Sequence, residues 1–295
     1  MLGFTGYFMQ KIRKILNLIW NEFVYGGHLL SLGAVSIAYT AAVLLNIKAT
    51  WDGLLVIYLG PQSIYLYNRY KEFNMDALTN PERTRHIEKY VKMIPLIITF
   101  FVLIFIGTLL YFNKIPALLF SLFLLFLGFS YSIFFKSFTK KIVGFKNVFV
   151  SLCWALIVVF LAVYYSYPFS LALLFIFIFI FLRLIVNTNF FDLKDIESDK
   201  KGGLLTPAII FKSEKLLNIL SFITILAALI IVSGFYLKLL PVISLFLLFT
   251  VPYSFYYLIK SQDKRTNASF LYNVVVDGEY ILWLLFILIG KFLLL

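Results

Sequence analysis

The sequence predicts an all-α, polytopic membrane protein, and three observations carry that prediction. Of 295 residues, 62% are hydrophobic and the mean hydropathy is +0.95, whereas apolar residues including Gly make up roughly half of a soluble domain. Charged residues are 14%, against about a quarter in such domains. The apolar stretches run on without the strict alternation of barrel strands, as from Leu171 to Leu182, so helices are the way to satisfy their backbone in lipid. A soluble enzyme, a secreted disulfide scaffold and a disordered linker are excluded. Cys153 is the single cysteine; with no partner for a disulfide or a thiolate metal cluster, it reads as a small core residue.

Residues 1–26 come first and differ from the rest. Lys11, Arg13 and Lys14 interrupt them, while Ile12, Ile15, Leu16, Ile19 and Phe23 keep helical spacing on one face. This pattern predicts an amphipathic helix lying on the membrane. It is not a signal peptide, whose charges precede an uninterrupted apolar stretch ending in small residues. Stretches able to cross about 30 Å of hydrocarbon follow at 27–46, 51–68, 93–112, 116–132, 147–165, 168–188, 215–237, 239–259 and 275–295. Residues 27–295 therefore read as one domain of nine transmembrane helices.

The net charge of +12 acquires meaning from its distribution. With nine spans, twenty-one of the 26 basic residues fall on the N-terminal side, Lys48, Lys114, Lys238 and Lys291 on the other, and Arg183 inside a span. The positive-inside rule places the crowded side in the cytoplasm and the C-terminus outside. Basic loops beside anionic membrane lipid account for the charge, and no nucleic-acid partner is expected.

The carboxylates are as unevenly spread. Counting Glu88, eight of the fourteen Asp and Glu lie in two cytoplasmic segments, Asn68 to Arg83 and Asp192 to Gly203. If the second span continues as helix, Asn68, Glu72 and Asp76 fall within about 80° of one another; if the sixth does, Asp192, Asp195 and Asp199 fall within about 60°. Either segment alone reads equally as a solvated loop with carboxylates paired to nearby lysines. Two such faces at one membrane surface describe a site for a hard divalent ion, Mg²⁺ above all, shared with a phosphate-bearing ligand.

Asn68-xxx-Glu72-xxx-Asp76 with Asn80-Pro-Glu-Arg83, and Asp192-xx-Asp195-xxx-Asp199 with Gly203 and Thr206-Pro207, resemble the paired acidic motifs of the UbiA superfamily of intramembrane prenyltransferases. Tyr131-Ser132, Lys136, Lys140, Lys141 and Asn147 resemble the stretch between them. The resemblance implies an enzyme with helices around a central cavity that transfers a polyprenyl group from polyprenyl diphosphate to a small-molecule acceptor in the membrane. It implies Mg²⁺ on Asn68, Glu72, Asp76, Asp192, Asp195 and Asp199. It implies Arg83, Lys136, Lys140 and Lys141 as diphosphate cations, Asn147 beside them, and Tyr131 shielding an allylic cation. Two positions depart from the pattern: Glu72 stands for Asp and can still ligate Mg²⁺, but Arg69 stands for Asp and cannot. Arg69 could instead meet a diphosphate oxygen, or mark a divergent member that binds prenyl diphosphate without transferring it. A transporter or lipid-binding protein is the other alternative, although transporters place their substrate groups near the midplane.

Other residues carry weaker signals. Arg183 lies about 180° from Asp192 on a helix, so snorkelling or a neighbouring helix is its expected partner. His28 and His86 have no spaced partners for a metal. Asp277 and Glu279 either touch the cytoplasmic cavity or cap the last helix. Motifs for a P-loop or a nucleophile elbow are absent. The topology is checked with single cysteines at Thr79, Ser198 and Leu295: in intact cells an impermeant reagent should label only the last, and labelling of the two loop positions would reject the orientation.

Overall fold

Each apolar stretch folds as helix. The computed structural model describes residues 2–263 and 265–294, and for residues 2–8 the backbone alone; Lys264 and Leu295 lie outside them. A leading helix α1 (Leu2–Tyr25) precedes α2 (His28–Leu44) and α3 (Trp51–Lys71). Short helices α4 (Phe73–Thr79) and α5 (Pro81–Glu88) lead into the hairpin of α6 (Ile94–Tyr111) and α7 (Ile115–Tyr131). After α8 (Phe145–Tyr164) and α9 (Leu171–Asp192) come short α10 (Ile196–Lys201) and α11 (Pro207–Ile210), then α12 (Ser213–Tyr236). A 3₁₀ run, Val242–Phe249, continues into α13 (Thr250–Lys260), and short α14 (Ala268–Phe270) passes through a π turn, Leu271–Val276, into α15 (Asp277–Leu294). No strand occurs among the described residues.

Six helical segments among the described residues are each long and apolar enough to cross a membrane: Val91–Tyr111, Phe145–Tyr164, Leu171–Asp192, Ser213–Tyr236, Val242–Lys260 and Ala268–Leu294. Met9–Tyr25 with His28–Leu44, bent by 57°, makes a seventh if taken as one span. Two expected spans fall short for physical reasons. Helix α7 is 17 residues long, and α3 carries polar groups that serve the protein interior. Within α3, Gln62 accepts from Ser31 of α2 at 2.6 Å and donates to the Gly26 carbonyl at 2.8 Å.

The long helices form a closed ring. Going round it, α2 packs on α3, α3 on α6 and α7, α7 on α8, α8 on α9, α9 on α12, α12 on the 242–260 segment, and that segment on α15, which returns to α2. Four hairpin turns share one face of this ring. Asn46, Asn113, Ser166 and Lys238 each take positive φ, 53° to 58°, two residues past the end of α2, α6, α8 and α12. At each, the next residue's N–H returns five positions to a helix carbonyl, as in Ile47 to Ala42 and Tyr167 to Ala162. This is the Schellman closure, which satisfies the orphan carbonyls of the helix end. The opposite face carries the long connections with the acidic segments.

Helix α1 stays outside the ring along residues 9–20, which are exposed, and docks by its last turn. Glu22 meets His86 Nε2 at 2.7 Å and His28 Nε2 at 3.4 Å, and the Tyr25 hydroxyl donates to Glu82 at 2.7 Å. Both histidines thus serve this joint. Gly27, at φ 88°, allows the turn into α2, where a Cβ would lie 2.3 Å from the Tyr65 ring.

Arg183 does find its partners on neighbouring helices. Fully buried on α9, it donates to Glu279 of α15 and Ser254 of α13. Glu279 also accepts from Tyr257 and from Trp283, both at 3.0 Å; it neither caps its helix nor reaches a cavity. Removing one member of such a pair strands a buried charge. Glu279→Leu should therefore lower stability by about 3–5 kcal/mol, and Arg183→Leu/Glu279→Leu should recover most of the loss. Thermal unfolding in detergent of both single variants and the double variant checks it, and a double-variant loss equal to the sum of the two single losses would show the residues to be uncoupled.

Candidate active site

The two acidic segments do not extend their helices as the periodicity suggests. Helix α3 closes where the Glu72 N–H meets the Asn68 carbonyl at 2.9 Å, and the chain restarts at Phe73. Helix α9 ends at Asp192, and Ile196 begins a new one. The breaks turn the carboxylates toward different neighbours.

The first segment is satisfied by cations of the chain itself. Asp76 receives Arg69 Nη1 at 2.6 Å on one oxygen and Arg83 Nη2 at 3.1 Å on the other. Burial pushes the Asp76 carboxyl up, but the two guanidiniums outweigh it and hold the group below its ordinary value. Glu72 pairs with Lys136 at 2.5 Å, and Asn68 accepts from Ser132 at 2.9 Å. Arg69 also lies over the Tyr65 ring, 5.1 Å from its centroid. Lys194 donates to Asn80 at 2.8 Å, and burial, followed by the nearby Arg83, pushes its ammonium down to about 8.

The second segment is only half satisfied. Asp192, completely buried, accepts from Lys146 at 2.6 Å and Asn147 at 2.7 Å. Asp195 and Asp199 are in no ion pair among the described residues, and Asp195 Oδ1 and Asp199 Oδ2 are buried without a hydrogen-bond partner. Burial, partly opposed by Lys146 and reinforced by the Asp192 and Asp195 carboxylates, pushes Asp199 up to about 6. The loop beyond is pinned: Leu205 donates to the Thr139 carbonyl at 2.8 Å and accepts from Gly144 at 2.9 Å.

These groups crown a cavity of about 400 Å³, within the size range of small-molecule sites. Asn68, Arg69, Glu72, Asp76, Tyr131, Lys136, Lys146, Asp195 and Asp199 line its polar end. Val56, Ile57, Phe105, Leu125, Ile157 and Phe160 line its apolar depth. Gly128 on its wall lets α7 approach α3 closely, since a Cβ there would lie 2.4 Å from Ile64 Cδ1. The cavity is off-centre: its walls come from α2, α3, α6, α7 and α8, and no described residue of α9, α12, α13 or α15 lines it.

Of the residues the sequence singles out, Asn147 and Asp192 stand behind the cavity wall, Arg83 reaches the site through Asp76, and Lys140 and Lys141 are exposed away from it. Tyr131 lies at the rim, its ring stacked on Phe149 at 5.5 Å. Cys153 also lines the cavity and is not a core residue. Sequence reasoning missed Lys146 and Lys194 as members of the site. Lys146 had a signal: it adjoins Asn147 in the first turn of α8, facing the same acidic segment. Lys194 had only its place between two aspartates.

The site is thus a polar crown of charged side chains over an apolar cavity among the long apolar helices. The UbiA prenyltransferase family model matches residues 29–286, and the chain belongs to that family; it is an integral, multi-pass membrane protein. The fold is shared with a UbiA homolog from Aeropyrum pernix K1 (14% identity, 89% of this chain and 97% of that one, TM-score 0.67). It is shared with a UbiA homolog from Archaeoglobus fulgidus bound to GPP and Mg²⁺ (18% identity, 92% and 98%, TM-score 0.65). It is shared also with a digeranylgeranylglyceryl phosphate synthase (15% identity, 93% and 98%, TM-score 0.58). No curated protein matches the chain by sequence.

The two lysine pairs differ in burial, and their energies should differ with it. Lys146→Met leaves Asp192 buried with Asn147 alone and should cost about 3 kcal/mol or more. Lys136→Met breaks a pair whose side chains are 34% and 26% exposed and should cost under about 1 kcal/mol. Unfolding midpoints in detergent test the order, and a larger loss in Lys136→Met would reverse it.

Proposed function

We propose that the protein transfers a polyprenyl group from a polyprenyl diphosphate to a lipophilic or aromatic acceptor in the membrane, with Mg²⁺ as cofactor. The observation that carries this reading is the pair Asp195 and Asp199, which line the polar end of an apolar cavity and each keep one buried oxygen without a partner. Uncompensated buried carboxylates suit a hard divalent cation. Asp195 and Asp199, backed by Asp192, would hold it. The fit is one-sided, because Asn68, Glu72 and Asp76 are each engaged by a partner of the chain.

In the proposed reaction the allylic C–O bond breaks, its electron pair leaving on the diphosphate oxygen. The acceptor's nucleophile bonds to the allylic carbon and releases a proton. Arg69, Lys136 and Lys146 oppose the charge that grows on the leaving group, and preorganised cations count most at that stage. Tyr131 offers a π face near the cationic carbon, and the apolar wall excludes water that would quench it. When bound, Mg²⁺ supplies further charge neutralisation at the diphosphate.

We propose further that all nine long helical segments span the membrane, with α1 on its cytoplasmic surface, the acidic loops cytoplasmic and the C-terminus outside. The Arg69–Asp76 pair favours a second reading, a member that binds prenyl diphosphate without transfer. The test incubates purified protein and Mg²⁺ with labelled prenyl diphosphates of several lengths and a membrane-lipid extract. Labelled product should form with the parent and fall by at least about 10²-fold in Asp199→Asn, and a chelator should abolish it. Retained prenyl diphosphate without product would favour the second reading, and full turnover in Asp199→Asn would reject the metal site.

A further inference from the structure

Resting on the prenyl-diphosphate reading, we propose that the first acidic segment is not a metal site: Arg69 and Arg83, locked on Asp76, form an arginine clasp for the diphosphate, and the site takes one divalent ion, on the second segment.

Geometry is the first argument. An ion reaching Asp76 would have to displace two guanidiniums, since Arg69 and Arg83 occupy one oxygen each, at 2.6 and 3.1 Å. Glu72 is held by Lys136 and Asn68 by Ser132. The arginines are themselves incompletely satisfied: Nε of Arg69 and Nε of Arg83 are buried with no hydrogen-bond partner. An orphaned buried donor on a charged group is costly, and a planar guanidinium fork suits phosphate oxygens. Arg69 lines the cavity, which brings its guanidinium to the space a diphosphate head would fill.

Charge balance gives the second argument. Around the first segment three cations, Arg69, Arg83 and Lys136, pair with two carboxylates, Asp76 and Glu72. That cluster is already positive by one. Around the second, Lys146 pairs with Asp192, while Asp195 and Asp199 are in no ion pair among the described residues, leaving two negative charges. A single divalent ion neutralises the second cluster. A second ion would raise the first to three positive charges in a desolvated pocket, where like charges repel strongly.

The test counts ions on the purified full-length chain in detergent, with Mn²⁺ as the spectroscopic probe and inorganic pyrophosphate as the anion. The parent should bind one Mn²⁺ per chain at saturation. Asp76→Asn and Glu72→Gln should keep that ion with little change in affinity, whereas Asp199→Asn should weaken it at least about tenfold. Arg69→Ala should weaken pyrophosphate about tenfold with the ion count still one. Arg69→Asp should admit a second ion. Two ions on the parent, or an ion lost in Glu72→Gln or Asp76→Asn, would overturn the proposal while leaving the transfer reaction standing. A count that stays at one in Arg69→Asp would overturn the role given to Arg69. A parent that binds neither Mn²⁺ nor pyrophosphate would overturn the diphosphate reading and this inference with it.

Discussion

A charge held at the edge of hydrocarbon must be matched locally, and this constraint governs where the protein keeps its acids. Desolvating a carboxylate costs several kcal/mol unless a cation and further donors replace the lost water. The buried acids meet that demand from different helices. Asp192 draws Lys146 and Asn147 from α8, Asp76 draws Arg69 from α3 and Arg83 from α5, and Glu279 draws Arg183 from α9 with Tyr257 from α13. On the face with the hairpin turns, Asp52 accepts from Tyr164, over whose ring Lys114 sits at 5.0 Å. The Asp192 and Glu279 matches also cross-link α9 to α8 and to α13 and α15, whereas Asp76 is matched within the α3–α5 connection.

The ring divides its labour accordingly. Helices α9, α13 and α15 close on the Arg183–Glu279 network, and these three and α12 leave no described residue in the cavity wall. Helices α2, α3, α6, α7 and α8 stand apart around the cavity, with Gly60, Pro61 and Gly128 thinning its wall. The glycines admit close neighbours, Phe105 at Gly60 and Ile64 at Gly128, and Pro61 removes one helical N–H. The tight Schellman turns hold one face of the bundle, which leaves the opposite face free for the broken segments that carry chemistry.

Hydropathy made the helices legible, because a membrane helix must be apolar over its length whatever its neighbours do. The acidic segments were legible as segments for the same reason, since carboxylates are rare in such a chain. Their geometry was not. Facing angles for Asn68, Glu72 and Asp76 assume a helix that continues, and α3 stops at Lys71; likewise α9 stops at Asp192. Which carboxylate stays free is a tertiary matter. Nothing local tells that Asp192 is neutralised by Lys146, 46 residues away, while Asp195 and Asp199 are not. Lys140 and Lys141 show the converse, for their charge and position in the chain suit the site while the turn that carries them faces outward.

The unequal satisfaction of the two segments has an energetic consequence. The first is preorganised: its ion pairs exist without any ligand, so little reorganisation is needed when an anion arrives beside Arg69. The second stores repulsion, visible in the Asp199 carboxyl held near pH 6 by burial and by its acidic neighbours. A divalent ion relieves that repulsion only by binding there, and whatever binds the folded chain alone stabilises it. On the proposed reading, ion binding would therefore tighten the connection from Asp192 through α10 to the pinned Leu205, and the diphosphate would then bridge a cationic clasp and a neutralised acidic wall. On the same reading the cavity beneath, apolar and walled by α3, α7 and α8, would orient the tail without contributing charge, so that recognition of head and tail would fall to different parts of the same pocket.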